Sequence, residues 1–326
     1  MTEQIRKRHY LGWVMLLVVA VLALVTILNR ERIYDFYRGQ TYQPSSEMVR
    51  IRADLNLTDK GTFLFNAAQP ELNEAAEFNS YCRNGESEIA VLGCYRSGNI
   101  YVYNITDNNL NGIRELTTAH ELLHANWARM SEAEKVKLTE PLTRVFEANQ
   151  EMLEEEINSY DISEKQEELY VRAGTEVANL PEVLEKHYAE IFKDQDAVVA
   201  YYDSYIEVFR ALKAEMDSLK VELNEINETI EQKMAEYERR VSQLSADIVS
   251  FNSCAEVAGC FKAEEEFNLR RESLIDEQEA LEVMYNEINE LIDAYNAKVE
   301  IYNADVSQSE RLNTIINSSS KPQEVN

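Results

Sequence analysis

The sequence predicts a mainly helical protein of the α+β class, with an N-terminal membrane-spanning helix, a domain that contains a short β-sheet, and a long antiparallel coiled-coil hairpin. Three observations predict this architecture. The chain has 9 glycines and 5 prolines in 326 residues, which favours long helices over tight turns. Residues 10–28 form an uncharged apolar run. Two heptad-like apolar seams follow residue 200.

The apolar run, YLGWVMLLVVAVLALVTIL, has the length of a membrane-spanning helix, with Tyr10 and Trp13 as interface anchors. The basic stretch RKR precedes it, so the positive-inside rule places the N-terminus in the cytoplasm and the rest of the chain outside. A cleaved signal peptide is the alternative. The run is longer than the usual apolar part of such a peptide, and no A-x-A-like site follows it. We therefore expect a single-pass membrane protein.

Changes in composition predict six segments along the chain. The predicted segments are a cytoplasmic tail at residues 1–9, a transmembrane helix at 10–28, a polar linker at 29–45, a folded domain at 46–200, a coiled-coil hairpin at 201–316 and a disordered tail at 317–326.

The folded domain is predicted to mix helices with one pair of strands. Two helices are predicted, SSEMVRIRADLNL and PELNEAAEFNSYC, on either side of the short apolar run TFLF. EIAVLGCY and NIYVYNIT are rich in β-branched and aromatic residues and predict a β-hairpin around SGN. IRELTTAHELLHANWARM and residues 131–160 are predicted to be helical. Residues 163–166 form a probable capping box for the next helix, and Pro181 starts another.

The hairpin is predicted from apolar residues that recur at alternating steps of three and four. The first seam begins at Ile206 and ends at Phe251, and the second begins at Leu274 and ends at Val306. NSCAEVAGCF interrupts them, which predicts two antiparallel helices with a tip at this stretch. Such a hairpin could bind a protein partner or mediate self-association; a rigid spacer is the plain alternative.

The four cysteines fall into two local pairs, Cys82 with Cys94 and Cys254 with Cys260. An even count in close pairs predicts disulfides in an oxidising compartment, which agrees with an extracytoplasmic domain. Four free thiols are the alternative, and the spacing does not fit a zinc ribbon. The formal net charge of -27 argues against nucleic acid as a partner, because phosphate binding needs a basic face.

The motif HELLH contains two of the four histidines of the chain. On a helix, His120 and His124 lie on one face and can point two imidazole nitrogens at one metal ion. Glu121 can then hold and deprotonate a water that attacks a carbonyl group. A surface helix that happens to carry these residues is the alternative. The glutamate beside the first histidine and the preceding strand-like segment favour a zinc site.

A strand, then AHELLHA on a helix, then a glutamate on a later helix resembles the zincin metallopeptidases. The histidine and glycine of the metzincin pattern are missing after His124, so the resemblance is to the gluzincin branch. The stretch from about residue 50 to 195 is similar to a poorly characterised group of membrane-anchored bacterial proteins with this motif. The resemblance covers under half of the chain and implies a zincin-like fold for residues 46–200, a Zn²⁺ cofactor and peptide hydrolysis.

The resemblance also implies a glutamate as the third zinc ligand. In EELYV, Glu168 occupies the ligand position of the gluzincin pattern N-E-x-F-A, with Tyr170 at the aromatic position and Val171 at the small one. Glu167 replaces the asparagine of that pattern. Glu176 is the alternate ligand, and a solvated surface glutamate is the plain interpretation of either.

His187 and Tyr188 are candidates for a catalytic role, as donors to the oxyanion that develops during attack. A surface histidine and a core tyrosine are the alternatives. The whole sequence then predicts a membrane-anchored, extracytoplasmic zinc metallopeptidase that acts on a peptide or protein with Glu121 as general base. The competing hypothesis is a coiled-coil scaffold that regulates cell-envelope enzymes and carries a non-catalytic zincin-like platform.

Overall fold

The computed structural model describes residues 15–27, 29–82, 91–158, 160 and 164–317. The protein is mainly helical, with a small three-stranded sheet and two long helices towards the C-terminus, as predicted. The chain divides into two compact units. The first unit combines residues 1–208 with 313–326, and the second unit is Phe209–Leu312.

In the described part of the chain, ten helices and three strands precede the two long helices, and a 3-10 turn lies at Asn108–Leu110. The helices are α1 (residues 15–27), α2 (Arg30–Thr41), α3 (Ser46–Asp54), α4 (Asp59–Ala68), α5 (Ala75–Cys82), α6 (Ile113–Trp127), α7 (Glu132–Ala148), α8 (Gln150–Asn158), α9 (Lys165–Glu176), α10 (Glu182–Tyr188), α11 (Gln195–Ala255) and α12 (Glu264–Ile316). The strands are β1 (Glu71–Asn73), β2 (Gly93–Arg96) and β3 (Asn99–Tyr103).

The predicted transmembrane segment, residues 10–28, lies only partly within the described residues. Its described part, α1, is helical and its side chains are exposed. Among the residues that the structure describes, no helix combines the length and apolar character needed to cross a membrane. The predicted cytoplasmic tail at residues 1–9 lies outside the described residues.

The predicted polar linker at residues 29–45 contains a helix, α2, that packs on the folded domain. Asp35 is buried in it, and Arg38 donates hydrogen bonds to the carbonyl oxygens of Ala67 (2.7 Å) and Gly98 (3.0 Å). These partners lie 29 and 60 residues along the chain. The local composition of the segment therefore carries no signal of them, and the sequence suggested a linker.

The predicted β-hairpin is present as β2 and β3, paired antiparallel with Cys94 opposite Tyr101. The chain turns through Ser97 and Gly98, which both have positive φ angles, of 52° and 85°. Two successive positive φ angles are typical of a type I′ turn, whose twist matches that of the flanking strands. Residues 83–90, where the predicted first strand begins, lie outside the described residues.

The third strand, β1, was not predicted, because ELN was assigned to a helix. It pairs parallel with β3, with Leu72 opposite Val102, and gives the sheet order β1-β3-β2. The helix in this stretch starts only at Ala75. A tertiary contact with a strand 30 residues away has overridden the local helical preference.

Some of the helix starts agree with the sequence. Pro181 precedes α10 as expected. A capping box opens α7, where the Ser131 side chain accepts from the Glu134 amide and the Glu134 carboxylate accepts from the Ser131 amide. The capping box predicted at residues 163–166 lies partly outside the described residues, and α9 begins at Lys165 with no side-chain cap.

The core of the first unit forms around α6, which is buried on most of its surface. Leu122 and Leu123 are fully buried there. Helix α9 contributes Tyr170 and Val171, and the sheet contributes Val102. A helix that is enclosed on nearly all sides is held firmly, so any group it carries has a fixed position.

The second unit is an antiparallel helical hairpin, as predicted. The ion pairs between the helices show that α11 and α12 run in opposite directions, because residue numbers that increase along α11 pair with numbers that decrease along α12. The pairs are Glu222 with Lys298, Lys233 with Glu287 and Arg240 with Glu277. Leucines at heptad positions, among them Leu219 and Leu281, are buried between the two helices.

The tip of the hairpin is closed by the Cys254–Cys260 disulfide and by packed rings of Phe251, Phe261 and Phe267. The other predicted disulfide, Cys82–Cys94, is also present and joins α5 to β2. The predicted disordered tail at residues 317–326 lies outside the described residues except for Asn317.

Candidate metal centre

Helix α6 presents His120 and His124 on its one open face. Of its 15 residues, 11 are buried, and Leu116, His120 and His124 follow each other at four-residue spacing along the part that is not. The two imidazole rings are 5.1 Å apart between centroids. Their side chains are 20% and 19% exposed, so both are reachable from solvent although the helix itself is in the core.

Helix α9 brings Glu168 to the two histidines. The approach of α9 is close because Gly174 has no side chain: a Cβ atom there would lie 2.5 Å from Leu123 Cδ1 and 2.6 Å from Tyr188 Cε1. Glu168 is 2% exposed. Its Oε1 lies 3.8 Å from His120 Nε2, and its Oε2 lies 3.5 Å from His124 Nε2.

These three side chains form the trio of potential metal ligands, with one nitrogen or oxygen atom from each lying within 4.8 Å of the others. In a tetrahedral zinc site with bonds of about 2.0–2.1 Å, neighbouring ligand atoms are about 3.3 Å apart. The distances of 3.5 and 3.8 Å to Glu168 are close to that value. Two imidazoles and one carboxylate are a donor set that zinc takes, and the three ligand atoms, which lie within 4.8 Å of one another, would move closer together to bind it.

Glu167 holds His124 in a defined orientation. Its Oε1 accepts a hydrogen bond from His124 Nδ1 at 2.8 Å, so Nε2, which faces Glu168 at 3.5 Å, is the nitrogen that would bind a metal. A carboxylate on the far nitrogen of a ligating histidine fixes the ring tautomer and raises the basicity of the ligand. This contact was not predicted from the sequence, where Glu167 only stands in the place of the asparagine of the gluzincin pattern.

Arg172 separates the two candidates for the third ligand. It donates to Glu168 Oε1 at 2.7 Å through Nε and to Glu176 Oε1 at 3.1 Å through Nη1. Glu168 thus contacts both the histidines and Arg172, whereas Glu176 bonds to another nitrogen of Arg172. The geometry favours Glu168 over Glu176 as the metal ligand.

Glu121 lies between α6 and strand β2, and it is 5% exposed. A Cβ atom on Gly93 would come within 2.8 Å of the Glu121 carboxyl group and 2.6 Å of Thr117, so only glycine lets the strand approach this closely. Burial raises the pKa of Glu121 to about 7, while the charge of His124 and a hydrogen bond from the Tyr95 backbone lower it in part.

The trio divides its charge unevenly when no metal is present. Burial lowers the pKa of His120 to about 3. Burial also lowers the pKa of His124, but its hydrogen bonds to Glu167 and Glu168 outweigh this and raise the pKa to about 10. Burial raises the pKa of Glu168, but His124, His120 and Arg172 together bring it down to about 2. The cationic ring of His124 therefore lies between the carboxylates of Glu167 and Glu168. A bound metal cation would supply the positive charge next to Glu168 that the protonated ring supplies without it.

The structure places His187 and Tyr188 in a different environment. Tyr188 is fully buried, and its hydroxyl donates to the Tyr170 carbonyl oxygen at 2.6 Å. His187 Nε2 lies 3.1 Å from the Tyr170 hydroxyl. Burial lowers the pKa of His187, and the charges that act on it are those of Glu190, Lys60 and Glu134 rather than those of the trio. We therefore reassign Tyr188 to the core and describe His187 as a neighbour of Tyr170.

Tyr160 is a site residue that the sequence did not suggest. The pKa of Tyr160 is raised to about 12, mainly by burial; the charges of Glu168 and Glu121 also raise it, and the charge and hydrogen bond of Arg172 lower it. Tyr160 therefore hydrogen-bonds to Arg172, the residue that also holds Glu168. The stretch around it, NSYDIS, has no motif, so only the fold identifies this tyrosine.

Comparison with known proteins gives no match. No protein-family model, no curated protein and no solved structure is similar to the chain. The functional interpretation therefore depends on the HELLH motif and on the geometry of the trio.

Proposed function

We propose that this chain is a zinc metallopeptidase of the gluzincin type, with His120, His124 and Glu168 as ligands and Glu121 as general base. The observation that carries the proposal is the convergence of the trio. Two helices, α6 and α9, bring ligand atoms from three side chains within 4.8 Å of one another. Surface carboxylates and histidines that meet by chance seldom have a buried ligand, and Glu168 is 2% exposed.

Each residue has a distinct task in the proposed reaction. A bound zinc ion would polarise the carbonyl group of the substrate and make the attacking water more acidic. The Glu121 carboxylate orients that water, accepts its proton and returns a proton to the departing amine. Glu167 keeps His124 in the ligating tautomer, and Arg172 holds Glu168 in place.

The arrangement of β2 supports a peptide as the substrate. In the sheet order β1-β3-β2, the only strand among the described residues that pairs with β2 is β3. An extended peptide can add to the edge of a sheet through main-chain hydrogen bonds. Because Gly93 of β2 packs against Glu121, a peptide bound along β2 would pass next to the general base.

Two further features support an extracytoplasmic location, with residues 10–28 as the anchor. Both disulfides are formed, and disulfides persist mainly in oxidising compartments. The side chains of α1 are apolar and exposed, as they are in helices that contact lipid. The helical hairpin is proposed to bind a protein partner or a second copy of the chain.

Zinc stoichiometry of the full-length protein in detergent tests the proposal. We expect about one zinc per chain, lost in the variant His120→Ala/His124→Ala, together with hydrolysis of some members of a peptide library. A wild-type protein that takes up no zinc, even when metal is supplied, would overturn the metallopeptidase proposal. Zinc binding with no hydrolysis of any peptide would favour the scaffold hypothesis, in which the hairpin carries the function.

A further inference from the structure

Helix α2 has one face fixed to the folded domain. Asp35 is 9% exposed and accepts two hydrogen bonds of 2.8 Å from the guanidinium group of Arg129. Arg38 donates to the carbonyl oxygens of Ala67 and Gly98. These bonds reach the residue after the end of α6, helix α4 and the β2-β3 turn, so the domain sets the orientation of α2 about its own axis.

The rest of the surface of α2 exposes four large side chains, of which Tyr34 borders the domain, with the Arg38 guanidinium 5.6 Å from its ring centroid. Ile33 is 50% exposed, Tyr34 and Phe36 are each 59% exposed, and Tyr37 is 65% exposed. We name this set the aromatic face of α2. Single exposed apolar residues are ordinary on protein surfaces, but four within five positions of one helix form a patch that favours contact with something other than water.

The position of this patch in the chain indicates what covers it. Helix α1, whose large apolar side chains are exposed, precedes it directly. The Asn29 amide donates to the Val25 carbonyl oxygen at 3.0 Å, and the Ile33 amide donates to the Asn29 carbonyl oxygen at 2.9 Å, so helical hydrogen bonding connects the two helices. At 1.5 Å per residue, Ile33 lies only about 9 Å along the helix from Ile27.

We infer that the aromatic face of α2 lies in the headgroup layer of the bilayer, with α2 tilted so that the folded domain rests against the membrane surface. The inference depends on the proposed anchor at residues 10–28. The headgroup layer is roughly 5–8 Å thick on each side. An upright helix would hold Tyr37, about 15 Å from Ile27, above that layer. A tilted helix immerses the whole face.

The chemistry of the face matches this layer. Tyrosine rings are amphipathic and concentrate at membrane interfaces, where the ring contacts acyl chains and the hydroxyl group contacts water or headgroups. Arg30 and Arg32 flank the face and can extend their guanidinium groups to lipid phosphates. The occupant is therefore a lipid surface with phosphate headgroups.

A second copy of the chain fits the face less well. The exposed parts of the four side chains amount to about 500 Å², given that an aromatic side chain offers about 150–250 Å² in all. A stable dimer buries about 800 Å² on each partner. The face is too small for that, whereas a membrane that is already attached through α1 needs no minimum area.

The contact with lipid would determine which substrates reach the metal centre. Arg129 follows the end of α6 and also donates to the Tyr95 hydroxyl of β2 at 2.8 Å. The same arginine thus joins α2 to the helix that carries the HELLH motif and to the strand beside Glu121. With α2 held on the bilayer, the substrates expected are peptide segments close to the membrane surface.

Site-directed spin labelling of the full chain tests the inference. All four native cysteines are in disulfides, so one new cysteine can carry the label. The variants are Tyr37→Cys on the aromatic face, Leu24→Cys in α1, and Val136→Cys, which is 70% exposed on α7, as the aqueous control. Each is reconstituted in vesicles of phosphatidylcholine and phosphatidylglycerol, and collisions with oxygen and with a water-soluble nickel chelate are compared.

We expect the ratio of oxygen to nickel accessibility at position 37 to exceed that at position 136 several-fold and to approach the ratio at position 24. A lipid-like ratio at 24 with a water-like ratio at 37 would overturn the inference and leave the anchor intact. Water-like ratios at both positions would overturn the anchor as well. Dipolar broadening between labels at position 37 on different chains would identify a dimer contact in place of lipid, and so would overturn the inference.

Discussion

His124 Nδ1 lies 2.8 Å from the carboxylate Oε1 of Glu167, the residue directly before the ligand candidate Glu168. Adjacent residues of α9 therefore perform two tasks on one histidine, because Glu167 fixes the far nitrogen of the ring while Glu168 faces its near nitrogen. A helix turns by about 100° per residue, so two successive side chains can contact the two nitrogens of a ring that lies against the helix. The predictions below test this arrangement and the groups around it.

Replacing Glu167 should weaken zinc binding without removing a ligand. We expect Glu167→Ala to lower zinc affinity by about 10–100-fold, the usual effect of losing a partner that orients a ligating histidine. Competition with a chromophoric chelator measures the change. Glu164→Ala, an exposed position three residues earlier, is the matched control and should bind as wild type does. Equal affinities in the two variants would contradict the orienting role.

Replacing Glu168, the proposed third ligand, should lower zinc affinity more than replacing Glu176, the other glutamate that bonds to Arg172. We expect Glu168→Gln to lose zinc affinity by more than the roughly 10–100-fold expected for an orienting residue. Glu176→Gln should keep most of it, because its contact is with Arg172. The same chelator competition checks both variants, and the reverse order would transfer the ligand assignment to Glu176.

Removing the general base should separate binding from chemistry. We expect Glu121→Gln to retain one zinc per chain and to lower kcat by about 10²–10⁴-fold, the range for general-base catalysis. Glu132→Gln, whose side chain is 88% exposed on α7, is the control for an unspecific loss of charge. Undiminished turnover by Glu121→Gln would show that another group accepts the proton.

Tyr160 is expected to act on the substrate rather than on the fold. Tyr160→Phe should keep its zinc and lower kcat by about 10²–10³-fold if the hydroxyl donates to the developing oxyanion. Tyr188→Phe is the matched control: it loses a hydrogen bond to a buried carbonyl group, so it should cost about 1 kcal/mol of unfolding free energy and leave kcat unchanged. The opposite pattern would restore the catalytic role first considered for Tyr188.

The two disulfides should contribute to different parts of the molecule. Cys82→Ser/Cys94→Ser removes the link between α5 and β2 and should lower the unfolding free energy of the first unit by about 2–4 kcal/mol. Because β2 also packs on Glu121, peptide hydrolysis should fall with it. Cys254→Ser/Cys260→Ser at the hairpin tip should leave hydrolysis unaffected. Thermal unfolding and peptide hydrolysis are measured for both double variants. A loss of hydrolysis in the Cys254→Ser/Cys260→Ser variant would contradict the expectation that the tip disulfide does not affect the metal centre.

The sequence by itself determined the features that depend on local spacing. His120 and His124 share a helix face because they are four residues apart. The turn at Ser97 and Gly98 and the register of β2 with β3 follow from a short polar link between two β-prone runs. The heptad seams predicted both arms of the hairpin, since adjacent helices in one chain need only a periodic apolar stripe to pair.

Tertiary structure decided the features that depend on partners far along the chain. Glu168 faces the histidines because α9 packs closely on α6, which Gly174 allows. Strand β1 exists because β3 offers it an edge. Helix α2 is part of the domain because its Asp35 meets Arg129, 94 residues away. In each case the stabilising contact joins residues that are far apart in the sequence. Local spacing and composition do not encode such a contact, so it becomes apparent only in the folded chain.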